Sequence, residues 1–132
     1  MPATRNDIGG LAGGATLLAF METNRGVAAV TYSASMTPDA SAAAHHTIVA
    51  TDTNAFTINA PTATAPTSVT RGWVLTLDIK NSSGGTMGNV TFDAVFLPAG
   101  AFTKPANGKR RTISFYFDGT NWVELSRAAA DI

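Results

Sequence analysis

The sequence predicts an all-β fold: an antiparallel β-sandwich of jelly-roll type with an extended N-terminal arm. Three observations predict it. Short runs of alternating apolar and polar residues recur from His45 onward. Gly, Pro, Asn and Asp clusters of turn chemistry separate them. No stretch sustains the apolar period of a long helix. Strands with one apolar and one polar face favour antiparallel sheets packed face to face.

The 132 residues suffice for one domain with one core. Nine basic residues balance nine acidic ones. That neutrality argues against nucleic-acid binding, which needs net positive charge to meet phosphates. Only 14% of residues are charged, against roughly 25% in soluble domains. Such a surface suits a chain packed against other chains, and a homo-oligomer is expected. With no cysteine, disulfides, cysteine–zinc sites and thiol catalysis are excluded. Residues 1–20 lack the pattern of a signal peptide, because glycines break the apolar stretch and Asp7 sits in its basic region. No run reaches the ~18 apolar residues of a membrane-spanning helix.

Three segments are expected: an arm over 1–44, a β-sandwich over 45–127 and a tail over 128–132. The arm is rich in Gly, Ala, Ser and Thr. "LLAFME" (17–22) reads as a short helical turn or strand, "GVAAVTYS" (26–33) as one weak strand, and "MTPDASAAAHH" (36–46) as a loop. This segment is expected to order against a partner, with Leu17, Leu18 and Phe20 as its contact residues.

"HTIVAT" and "AFTINA" are short strands, and Pro61–Gly72 is a Pro/Thr-rich connection. "WVLTLDIK" (73–80) is the clearest strand, with Trp73, Leu75, Leu77 and Ile79 inward. "NSSGGTMG" (81–88) is expected to be a hairpin turn into "NVTFDAVFL" (89–97), where Val90, Phe92, Ala94 and Phe96 point inward. Pairing Ile79 with Val90 and Leu77 with Phe92 sets that register. A long loop follows, with Phe102 of buried type. "TISFYF" puts Ile113, Phe115 and Phe117 on one face. "DGTN" (118–121) is a tight turn, and "WVELSR" closes the set with Val123 and Leu125 inward.

The Gly-rich loop does not fit a phosphate site. A phosphate loop leads into a helix and carries a lysine after its last glycine, whereas Gly88 precedes a strand. Asp78 and Asp93 point outward in the expected register, as diagonal neighbours ~7–8 Å apart. That spacing overlaps glycosidase geometry, but nothing marks either as a buried acid, and a solvated strand face is the expectation. His45 and His46 point to opposite strand faces and cannot share one metal, although one histidine from each of several chains could meet on a symmetry axis. Lys109, Arg110 and Arg111 form a basic triplet for solubility or a subunit contact. Tyr116 and Trp122 fall on the outer face of the last hairpin, which suggests a protein interface or, less directly, a sugar platform. No catalytic, cofactor or metal residues are assigned, and a non-enzymatic protein is expected.

Gly72–Arg127 as a whole, with "IKNSSGGTMGNVTF" and "GAFTKPANGKRRTISFYFDGTNWVELSR" and the preceding "NAFTINAP", resembles a β-sandwich module of tailed-bacteriophage structural proteins. The resemblance covers a little more than half the chain and brings no catalytic residues with it. It implies a virion component: a fibre, a tail part or a capsid-attached protein. Fibres carry the module at the end of a long chain, whereas here only a short arm precedes it. That arrangement looks like a capsid decoration, or cement, protein. The implied partner is the major capsid protein, in a homotrimer on the capsid exterior, made in the bacterial cytoplasm, without nucleic acid or membrane. The alternative is a tail or fibre module that binds host glycans.

Overall fold

The computed structural model describes residues 26–62 and 72–132. Leu17, Leu18, Phe20 and most of the Pro/Thr-rich connection lie outside the described residues. Among those described, the regular structure is all strand. In order these are β1 (Val27–Val30), β2 (Ser35–Met36), β3 (His45–Ala50), β4 (Phe56–Ile58), β5 (Val74–Asn81), β6 (Val90–Phe92), β7 (Phe96–Leu97), β8 (Arg110–Phe117) and β9 (Trp122–Arg127).

The strands form a six-stranded sheet, ordered β1-β3-β5-β8-β9-β7, and a three-stranded sheet, ordered β2-β4-β6. From β1 to β6 the chain alternates strictly between them. Neighbours in one sheet are therefore joined through a strand of the other, and this passage serves as the crossover that parallel pairing needs. β1 pairs with β3 and β3 with β5 in parallel, as do β2 with β4 and β4 with β6. β8 and β9 then add antiparallel strands to the larger sheet, and β7 pairs with β9 in parallel.

The larger sheet is thus mixed and the smaller one parallel, and the expected antiparallel pairing is corrected. Alternation of apolar and polar residues reports that one face is buried; it does not report strand direction. The expected hairpin between β5 and β6 is corrected as well: these strands lie in different sheets, and 81–88 is the corner between them. The proposed boundary at residue 44 also cuts through the folded body. β1 and β2 precede it, and Met36, Ala40 and Ala43 are buried.

Both sheets feed one apolar cluster. Ile48, Leu75, Leu77, Ile79, Ile113 and Phe115 come from the larger sheet, and Met36, Phe56 and Ile58 from the smaller. The inward residues of β5 and β8 follow the sequence parity. β9 does not. Four residues separate Phe117 from Trp122, so the two pair across the turn and share a face. Their rings sit 5.1 Å apart, and Trp122 is only 3% exposed. A bulge opposite Ser114/Phe115 then leaves Leu125 unpaired and exposed, while Val123 pairs with Tyr116 on the outer face. Trp122 is therefore a core residue, contrary to its expected outward placement.

Candidate functional site: the outer face of the larger sheet

Registers across the larger sheet sort its outward side chains into rows. The first row, across β5, β8, β9 and β7, is Val74, Tyr116, Val123 and Leu97. Val74, Tyr116 and Leu97 are 41%, 37% and 46% exposed. The second row is Val27, His45, Thr76, Ser114 and Ser126, with the Thr76 and Ser114 hydroxyls 2.8 Å apart. The third is Ala29, Thr47, Asp78 and Thr112. The fourth is Val49, Lys80 and Arg110. Along β5 and β8 the face thus grades from apolar, through hydroxyl, to charged. Packed sheets hide such an apolar row, whereas here it meets solvent.

Asp78 is the unexpected member. It points outward, yet it is only 5% exposed. The Arg110 guanidinium donates to its Oδ2 at 3.0 Å, and His45 Nε2 lies 3.8 Å from the same oxygen, beyond hydrogen-bond reach. Its Oδ1 is buried without a hydrogen-bond partner. In the register Asp78 stands between Thr47 and Thr112. Its expected place on a solvated face, diagonal to Asp93, is corrected. Asp93 sits in the turn after β6, where it accepts from the Val95 backbone N–H at 3.0 Å.

The basic triplet divides three ways. Arg110 holds Asp78. Arg111 turns to the other side and pairs with Asp131, which also accepts from the Ala106 N–H at 2.9 Å. These hydrogen bonds, the Ala106 one foremost, hold the Asp131 carboxyl below its ordinary range. Lys109 is exposed. The last residues are pinned to the body, since Arg110 and Ile132 exchange backbone hydrogen bonds at 3.0 and 3.1 Å.

Tyr116 and Trp122, expected together on the outer face, lie on opposite faces of the sheet. Trp122 is in the core. Tyr32 donates to Asp52 at 2.8 Å and packs edge-on against Phe56; burial, then this bond, pushes its hydroxyl up to about 12. Tyr116 alone stands on the graded face. The two histidines take opposite faces, as expected. His46 donates from Nε2 to the Asp39 carbonyl at 2.9 Å, and burial pushes its imidazole below the ordinary value of 6.5. No cluster of three His, Asp or Glu suited to a metal occurs among the described residues.

The corner 81–88 carries architecture. Asn81 is fully buried and donates to the carbonyls of Gly85 and Pro105, at 2.9 and 3.0 Å. Its oxygen accepts from the Ser83 N–H and hydroxyl. Gly88 lies against the Asn54 carbonyl so closely that a Cβ there would overlap it. Gly84, at φ 84°, supplies the left-handed turn.

Sequence reasoning missed the burial of Asp78 and the contact under Gly88. Neither leaves a local trace, because both depend on strands far away in the chain. The exposed row was partly within reach: a four-residue "DGTN" turn implies Phe117 opposite Trp122, and from that Tyr116 opposite Val123. No protein-family model, curated protein or solved structure matches the chain.

Proposed function

We propose that the protein is a non-enzymatic structural component of a tailed-phage virion. In this reading it decorates the outer capsid surface, contacts the major capsid protein and reinforces the shell. The observation that carries the reading is the row Val74, Tyr116, Val123 and Leu97 on the outer face of the larger sheet, in which Val74, Tyr116 and Leu97 are exposed. An apolar row bordered on one side by hydroxyls, with Arg110 and Lys80 beyond them, offers the apolar and polar contacts that protein interfaces combine. The low charge content and the resemblance of Gly72–Arg127 to phage β-sandwich modules support the same reading. We read the two sheets as a sandwich wound from parallel circuits, and the particle-bound form as a trimer. Many weak contacts repeated by symmetry then give avidity.

The test is co-sedimentation with mature capsids that lack the protein. Wild type is expected to pellet with the shells, and Val74→Ser/Tyr116→Ser/Leu97→Ser to stay in the supernatant while remaining folded. Equal binding by the triple variant would remove this face from the reading.

One observation favours a second reading. Tyr116 is exposed beside the hydroxyl row of Ser114, Thr76 and Ser126, an aromatic next to polar donors of the kind that meets a sugar. A tail module binding host glycans is expected to give glycan-array signals that Tyr116→Ala abolishes. No signal with wild type would count against it.

A further inference from the structure

The smaller sheet ends at β6, and the edge it leaves there has the features of a strand acceptor. β6 pairs with β4 through Phe56↔Val90, Thr57↔Thr91 and Ile58↔Phe92. The Asn89 carbonyl accepts from Phe56 and the Asp93 N–H donates to Ile58, at 3.0 and 2.9 Å. Backbone groups alternate sides along a strand. Asn89, Thr91 and Asp93 therefore address β4, and the N–H and C=O of Val90 and Phe92 address the other side. On that side no strand pairs with β6 among the described residues. A row of unpaired backbone groups is a template for another strand.

A groove of about 670 Å³ runs along this edge, lined by β6 and by the loop from Pro98 to Lys104. That volume falls within the range of ordinary binding sites, about 300–1,000 Å³. Its apolar lining includes Val90, Phe92, Phe96 and Phe102, with the Phe92 ring centroid 5.4 and 6.3 Å from those of Phe96 and Phe102. Its far wall is held in place. Arg127 donates to the carbonyls of Ala101 and Gly100 at 2.8 and 3.1 Å. Glu124 accepts from the Ala99 N–H at 2.6 Å. Lys104 bonds to Asn89 at 2.9 Å across one end. A pre-formed edge, an aromatic floor and a braced wall are the elements of strand addition, in which the main chain gives affinity and alternate side chains give specificity.

We infer that the β6 groove takes up an extended segment from residues 14–22 of a second copy of this chain. The 25 residues before Gly26 contain the apolar run Leu17–Met21, with Leu17, Leu18 and Phe20, between Gly14-Ala15-Thr16 and Glu22-Thr23-Asn24-Arg25. Leu18 and Phe20 have the two-residue spacing of Val90 and Phe92, so as a strand they fall on one face toward the aromatic floor. Glu22 follows, of opposite charge to Lys104. Among the described residues, β1, whose first residue follows Gly26, is the end strand of one sheet, while the groove lies on the end strand of the other. Donor and acceptor are thus different surfaces, and exchange between copies is heterologous, closing into a ring when the rotation allows. This deepens the reading of the arm as a partner-seeking segment, and its test needs no particle.

The chain has no cysteine, so single cysteines report contacts cleanly. Thr91 is exposed on the side of β6 opposite Val90 and Phe92, and Ala19 lies between Leu18 and Phe20. Full-length Thr91→Cys and Ala19→Cys, mixed and oxidised, are expected to give a covalent dimer. The dimer is expected to disappear with Phe20→Asp, and Ser126→Cys on the outer face of the other sheet is expected to give none with Ala19→Cys. The double variant Thr91→Cys/Ala19→Cys is expected to give inter-subunit ladders. A cross-link confined within one chain would overturn exchange between copies. No Thr91–Ala19 cross-link in folded protein, or equal cross-linking to Ser126→Cys, would overturn the site.

Discussion

Asp78 and Asn81 stand three residues apart on β5, and both are buried. Asn81 faces the corner, and each of its side-chain groups has a partner: Gly85 and Pro105 accept, and Ser83 donates twice. Asp78 faces outward, holds Arg110 with one oxygen and leaves the other without a partner. Buried polar groups are almost always satisfied where they serve the fold. The corner is therefore finished as architecture. The outer face carries an incompletely satisfied carboxylate and, in Val74, Tyr116 and Leu97, apolar side chains that meet solvent.

Substitutions sharpen that contrast, beginning with the corner. Gly88→Ala is expected to have the largest effect, because the new methyl overlaps the Asn54 carbonyl and the backbone of one circuit must move. A loss of roughly 4 kcal/mol or more, or failure to fold, is the expected result of urea denaturation. Asn81→Ala comes next. It strips the Gly85 and Pro105 carbonyls of a buried donor and frees Ser83, for about 3 kcal/mol by the same measurement.

Acid is expected to act more gently, in two steps. His46 is held neutral by burial, below 6.5. The unfolded chain therefore takes up a proton first, and stability falls as the pH drops below about 6.5 toward the folded value. Glu124, lowered chiefly by its bonds to Arg127, adds stability that is complete above its ordinary 4.5 and is lost as the pH falls through the depressed folded value. Urea midpoints measured from pH 8 to pH 3 check both steps, and His46→Gln is expected to flatten the first. The smallest effect belongs to the outer face. Tyr116→Ser is expected to change stability by no more than about 0.5 kcal/mol while weakening binding to capsids, as read by co-sedimentation.

How much of this was legible in the sequence depends on the range of the interaction. The inward parity of Leu75, Leu77 and Ile79, and of Ile113, Phe115 and Phe117, was legible, because burial of one face writes itself into alternate residues. Strand direction was not: "LDIK" before a glycine loop and "VTF" after it read equally well as a hairpin or as a passage between sheets. Trp122 went astray because Val123 and Leu125 look like an inward pair, and the bulge that displaces Leu125 leaves no mark of its own. Of the expected interface residues, Tyr116 lies on the graded outer face and Arg110 borders it. Trp122 belongs to the core, and Arg111 braces the C-terminal residues. Asp78 looked solvated because a strand's neighbours on either side, here Thr47 and Thr112, cannot be known before the sheet order is.

The central claim is that the graded face of the larger sheet is the side by which the protein meets its shell. A cryo-electron microscopy map of the virion tests it most directly. The account predicts density for the protein on the capsid exterior, with Val74, Tyr116 and Leu97 against the major capsid protein. Density with that face turned to solvent, or no density for the protein on the shell, would contradict it.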